Sequence, residues 1–166
     1  MFRLNLRNSG FFAVFLLLAF LLSGCKIPPF NPKADARIKQ FTSAGSPVTG
    51  IVFNSNDPKS VTVTVEVTNG VDTIFNKCYV NYYSGGTLIA SISRSSSIYL
   101  AVFGSPSTPS PGLISGTVDI YIGDKTTRDY ALNCNIKQMS AEIILKGDDV
   151  NDHDITVNGD LNVFFQ

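Results

Sequence analysis

The sequence predicts an all-β domain, a two-layer antiparallel β-sandwich of eight or nine strands, and three observations carry that prediction. From Val48 onward apolar residues recur at every second position, the spacing that gives a strand one buried face. Turn-forming residues recur roughly every ten positions, which suits short strands joined by tight connections. Beyond the N-terminal segment no window carries the i, i+3, i+4, i+7 apolar stripe of an amphipathic helix, so parallel βαβ architectures are excluded. About 120 residues are left for the domain, enough to close one core between two sheets.

The elements follow in chain order. Arg3 and Arg7 precede Phe11 to Leu22, an unbroken apolar run of twelve residues. A membrane-spanning helix needs about 20 residues, so the run reads as the helical core of an export signal over residues 1–24. Its end, Leu22-Ser23-Gly24-Cys25, resembles the lipobox of bacterial lipoproteins. Small residues admit a peptidase there, and only a thiol can take a thioether-linked diacylglycerol. The resemblance implies a mature chain that starts at an acylated Cys25, palmitate included, and anchors to a membrane in the cell envelope. At about 0.8 kcal/mol per buried CH₂, two acyl chains suffice for stable anchoring. Lys26 follows the cysteine in place of an Asp, which resembles lipoproteins forwarded to the outer membrane of Gram-negative hosts.

Residues 25–46 then read as a tether. Pro28, Pro29 and Pro32 fix φ and resist helix and sheet, and Ala34 to Phe41 is long enough for only one or two helical turns. The domain is placed at 47–166. Val61, Val63, Val65 and Val67 alternate with Thr62, Thr64, Glu66 and Thr68, and Asn69-Gly70 ends that strand in a turn. Cys78, Val80 and Tyr82 alternate with Lys77, Tyr79, Asn81 and Tyr83, after which Ser84-Gly85-Gly86 turns the chain into a hairpin partner, Leu88, Ala90 and Ile92. Ile98 to Phe103 forms a short strand, and the three prolines of residues 104–112 mark an exposed loop. Four more rows follow: Ile114, Val118, Ile120 and Ile122; then Leu132, Cys134 and Ile136; then Ala141, Ile143 and Leu145; and last Ile155, Val157, Leu161, Val163 and Phe165.

The stretch Val63 to Ala90, VTVEVTNGVDTIFNKCYVNYYSGGTLIA, resembles immunoglobulin-like modules of the fibronectin III or FxLYD kind. In these a strand ending in Thr-Asn is followed by Tyr-Tyr, a glycine turn and an apolar pair. The resemblance implies an immunoglobulin-like sandwich that binds, spaces or assembles rather than catalyses. The chain departs from antibody domains in having no Trp.

Composition narrows the partners. Thirteen basic side chains balance thirteen acidic ones at 16% charged residues, against about 25% in an average globular protein. This excludes binding nucleic acid through a basic face. Loss of Arg3 and Arg7 with the signal leaves eleven basic side chains against thirteen acidic.

Four sets of residues invite a chemical reading. Cys78 and Cys134 sit on inward rows and, outside the cytoplasm, form either a disulfide or two buried thiols. Asp148, Asp149, Asn151, Asp152 and Asp154 crowd oxygen donors into eight residues, either as a solvated turn or as a Ca²⁺ loop; Val150 and His153 break the EF-hand spacing. His153, the only histidine, is the one candidate general base, flanked by Asp152 and Asp154. Without a nucleophile elbow or a helix to carry one, it points to a surface turn. Tyr79, Tyr83, Tyr121 and Phe164 lie on outward rows, where exposed aromatics suit stacking on a sugar or a partner protein. The reading is therefore a non-enzymatic, membrane-anchored envelope lipoprotein that binds an envelope protein or serves in assembly. Its alternative is a Ca²⁺-dependent or carbohydrate-binding module, with an envelope hydrolase third.

Overall fold

The computed structural model describes residues 31–103 and 113–166. The signal segment, Cys25 and the Pro/Ser loop at 104–112 lie outside the described residues. Ten strands form: β1 (Ala36–Ser43), β2 (Ser46–Val48), β3 (Gly50–Phe53), β4 (Lys59–Val67), β5 (Thr73–Ser84), β6 (Thr87–Leu88), β7 (Arg94–Val102), β8 (Ile114–Gly123), β9 (Gln138–Asp149) and β10 (Asp154–Phe165). One sheet has the order β2-β1-β4-β8. The other runs β3-β10-β9-β5-β6, and β7 also pairs with β5. The pairing is antiparallel except for β3 with β10, where the chain switches sheets directly after β2. Two layers result, as the periodicity predicts, with ten strands in place of eight or nine.

The core lies between the inner rows. Val61, Val63, Val65 and Val67 of β4 are buried, as are Ala141, Ile143 and Leu145 of β9 and Ile155, Val157, Leu161 and Val163 of β10. Each such side chain contributes about 1.5–3 kcal/mol relative to exposure. Tyr82 of β5, fully buried, reaches across the layers to donate its hydroxyl to the carbonyl of Ile122 in β8. A buried phenol needs such a partner, because an unsatisfied hydroxyl would keep its full desolvation penalty. Phe53 and Phe165 stack with centroids 5.5 Å apart where β3 meets the C-terminus.

Four expectations are corrected. The folded unit begins at Lys33, not at residue 47. Ala36–Ser43, read as tether or helical turn, is β1, an interior strand whose Phe41 is buried. It pairs with β4 from Ala36↔Val67 to Thr42↔Thr62 and closes a hairpin onto β2 through Ala44 and Gly45, both with positive φ. Polar residues at Arg37, Lys39 and Gln40 hide this strand, because its outer face carries charge. Second, the partner of β5 after Gly85-Gly86 is only the two-residue β6. Leu88 is 47% exposed, and Ile89 and Ile92 are the buried residues.

Third, Leu132, Cys134 and Ile136 are not a strand. Lys125–Asn133 is a helix, α1. Asp124 caps it by accepting from the amide of Thr126 at 2.8 Å, and it ends at Asn135 in the left-handed region. Thr127 and Ala131, one turn apart, are its buried residues. An apolar stripe of one threonine and one alanine is too weak to register as an amphipathic pattern. Fourth, and as a consequence, the Cys78–Cys134 disulfide does not form. Cys78 is buried on the inner row of β5, Cys134 is exposed at the C-cap of α1, and both thiols are free.

Candidate functional site

The outer face of the second sheet gathers half of the polar and aromatic side chains singled out by the sequence, Tyr79, Tyr83, Asp148, Asp154 and Phe164. The register aligns them in rows across β5, β9 and β10: Lys77 with Lys146 and Thr156, Tyr79 with Ile144 and Asn158, Asn81 with Glu142 and Asp160, Tyr83 with Ser140 and Asn162. Tyr79 and Tyr83, both half-buried, are therefore on one face, as their alternation predicts. Glu142 ties the lower rows together. It accepts from the Tyr83 hydroxyl at 3.1 Å, from Asn81 Nδ2 at 3.4 Å and from Asn158 Nδ2 at 3.3 Å. The hydrogen bond to that carboxylate raises the pKa of Tyr83. Above them the ammonium of Lys146 sits 5.3 Å from the Tyr79 ring centroid, within cation–π range.

Two adjoining clefts share Lys77 and Tyr79. The larger, about 360 Å³, is lined by Lys146, Asp148, Asp154 and Thr156 as well, and the smaller, about 230 Å³, by Ser95, Ser96 and Ser97 of β7. Their floor is set by backbone. β5 bulges at Asn76, between Phe75 and Lys77, and β9 passes so close there that a Cβ on Gly147 would lie 1.9 Å from the Ile74 carbonyl oxygen. Only glycine fits at that crossing.

Tyr121 does not join this face. It stands on β8 of the first sheet under the Arg94 guanidinium, 4.8 Å from its ring centroid. Arg94 also donates to Thr127 Oγ1 of α1 at 2.9 Å. Tyr121 thus serves the junction between β7, β8 and α1. Phe164 is half-buried on the outer row of β10, where its Cε2 would lie 2.8 Å from a Cβ on Gly50.

The acidic turn between β9 and β10 has a structural centre. Asp149 points inward, its side chain fully buried. Its Oδ1 accepts from the amides of Asn151 at 2.8 Å and His153 at 3.0 Å, while Oδ2 accepts from the Ala34 amide at 2.8 Å and lies 3.1 Å from His153 Nδ1. Burial pushes this carboxyl up, but the hydrogen bonds from His153, Ala34 and Asn151 more than offset it and bring its pKa down to about 2. Asp148 and Asp154 face each other across the β9–β10 register on the outer face, and Asp152 occupies the turn with φ +61°. Among the described residues no three His, Cys, Asp or Glu side chains are grouped to hold a metal ion. The five donors are thus dispersed: Asp149 is a buried clamp, Asp148 and Asp154 are an exposed pair, and Asn151 and Asp152 lie in the turn between the strands. His153 is partly exposed, and its ring is held by Asp149.

Sequence reasoning passed over Lys146, Glu142 and Asn76. Lys146 and Glu142 alternate outward with Ile144 along β9, a legible signal. Their placement beside Tyr79 and Tyr83 needed the register.

No family model matches the sequence, and no curated protein matches it. Solved structures that align with the chain include a candidate late embryogenesis abundant protein, at 14% identity and TM-score 0.44, covering 93% of this chain and 84% of that one. A protein from Archaeoglobus fulgidus aligns at 10% identity and TM-score 0.41, over 70% of this chain and 91% of its own. The sporulation control protein Spo0M from Bacillus subtilis aligns at 10% identity and TM-score 0.34, over 81% of this chain and 49% of its own.

Proposed function

We propose that the chain is an envelope lipoprotein, acylated on Cys25, whose β-sandwich serves as a non-enzymatic binding or assembly module outside the cytoplasm. The observation that carries this reading is Leu22-Ser23-Gly24-Cys25 at the end of the apolar run from Phe11 to Leu22. The fold supports it in two ways. The folded unit starts at Lys33, eight residues after Cys25, so a short segment joins the proposed anchor to the domain. The entering chain is also well fastened: Ala34 by Asp149, the Asp35 amide by Asn69 Oδ1 at 3.0 Å, and the Lys33 carbonyl by Asn69 Nδ2 at 2.7 Å. The non-enzymatic part is supported by His153, which lines neither cleft and whose ring, among the described residues, is hydrogen-bonded to Asp149 and not to a hydroxyl or thiol. The partner is an envelope protein or glycan, and the outer membrane is the destination in a Gram-negative host. Replacing Cys25→Ser is expected to abolish palmitate labelling and to block maturation of the precursor. Unchanged labelling in that variant overturns the reading.

A further inference from the structure

The outer face of the second sheet sorts its charges into adjacent like-signed pairs. Asp148 of β9 stands directly opposite Asp154 of β10. One outward position along β9, Lys146 stands opposite Lys77 of β5. Like charges directly opposite each other destabilise a sheet, so a face selected only for solubility has no reason to place them this way. Diagonal compensation between the pairs does not account for it either. The ion pairs among the described residues are Arg37–Glu66, Lys39–Glu66, Lys125–Asp129 and His153–Asp149, and none involves these four. Lys146 is instead turned over Tyr79, toward the row on its far side from Asp148. All four charges line the cleft of about 360 Å³, above the floor made by the Asn76 bulge and Gly147.

We propose that this cleft binds a small zwitterion, with a phosphate held by Lys77 and Lys146 and a primary ammonium held by Asp148 and Asp154. The two rows lie two residues apart, about 6.8 Å along the strand. A phosphate joined to an ammonium by a two-carbon link spans that distance with a hydrogen bond at each end. The carboxylate of an α-amino acid offers two acceptor oxygens to the lysine pair, where a phosphate offers at least three. Two lysines suit the several acceptor oxygens of a phosphate, and the Thr156 hydroxyl adds a donor in the same row. The ligand class is phosphoethanolamine, either free as the monoester or as the diester headgroup of a lipid. The inference does not depend on acylation of Cys25.

The test is calorimetric titration of the full-length protein in non-ionic detergent with O-phosphoethanolamine, glycerophosphoethanolamine, inorganic phosphate and ethanolamine. Saturable binding of either phosphoethanolamine compound, tighter than inorganic phosphate, is expected. Preference for the monoester identifies a free ligand, and preference for or equal binding of the diester identifies a headgroup. The double substitution Lys77→Ala with Lys146→Ala is expected to weaken the zwitterion about fivefold to tenfold, the scale of two exposed ion pairs. Asp148→Asn with Asp154→Asn is expected to weaken the zwitterion by a similar factor while leaving inorganic phosphate as tight or tighter. All four positions are exposed, and a melting temperature no lower than that of the unsubstituted protein confirms that the variants fold. Absence of saturable binding, binding unmoved by either double substitution, or inorganic phosphate binding as tightly as the zwitterion each overturns the proposal.

Discussion

Asp149 and Glu66 show how far a single carboxylate departs from what its neighbours in sequence imply. Asp149 lies in a run of acids, yet it is the buried one, because three amides and a ring nitrogen converge on it. Asp149→Ala would leave those amides without their acceptor and is expected to destabilise the fold by about 2–4 kcal/mol, read as a lower midpoint in denaturant. Glu66 points to the outer face of β4 but is 2% exposed. Arg37 covers it through Nε at 3.1 Å and the terminal guanidinium nitrogen at 2.7 Å, and Lys39 Nζ lies 3.0 Å away. These hydrogen bonds, Arg37 first, hold its pKa below the usual carboxylate value. Both carboxyls are depressed in the folded state, so their contribution is present above the unfolded values near 4 and is lost as pH falls toward about 2, where Asp149 titrates. Thermal midpoints are therefore expected to fall across that window, with the Asp149→Ala variant showing a shallower fall.

At the scale of elements, α1 and β5 separate the two described cysteines. Cys78 is fixed on the inner row of β5, and burial pushes its thiol up to about 11. Cys134 follows the last turn of α1 and is exposed. Since the thiolate is the reactive form, a maleimide is expected to modify Cys134 in the native protein and Cys78 only after denaturation. Two unreactive thiols in denatured, unreduced protein would instead indicate a disulfide. The helix itself depends on its cap, so Asp124→Ala is expected to lower stability by about 1 kcal/mol. The change also removes the hydrogen bond between Asp124 and Tyr121, and the measurement is the shift in midpoint at constant denaturant slope.

Over the whole molecule the interior position of β1 determines where the domain can be cut. β1 lies between β2 and β4 and supplies Phe41 to the core, and its Arg37 and Lys39 neutralise Glu66. A chain starting at Val48 loses all three and exposes the edge of β4, a template for aggregation. It is expected to be insoluble or unfolded, whereas a chain starting at Lys33 melts cooperatively. Circular dichroism melts of the two chains check this.

The period-two rows of β4, β5, β8, β9 and β10 were legible because each turns one apolar face toward the core, and alternation along a strand is a local property. That much of the sandwich, together with the outward placement of Tyr79 and Tyr83, was determined by the sequence alone. Three things were not. β1 carries charge on its outer face, and only pairing with β4, which sets Arg37 and Lys39 over Glu66, makes it an interior strand. α1 buries just Thr127 and Ala131, so its helicity rests on the Asp124 cap and on packing beneath Arg94. The opposition of Lys77 to Lys146 is a matter of register between strands distant in sequence, and that of Asp148 to Asp154 depends on where the β9–β10 hairpin turns. The β5–β9 register carries the bulge at Asn76 and the close crossing at Gly147, contacts that exist only once those two strands have paired.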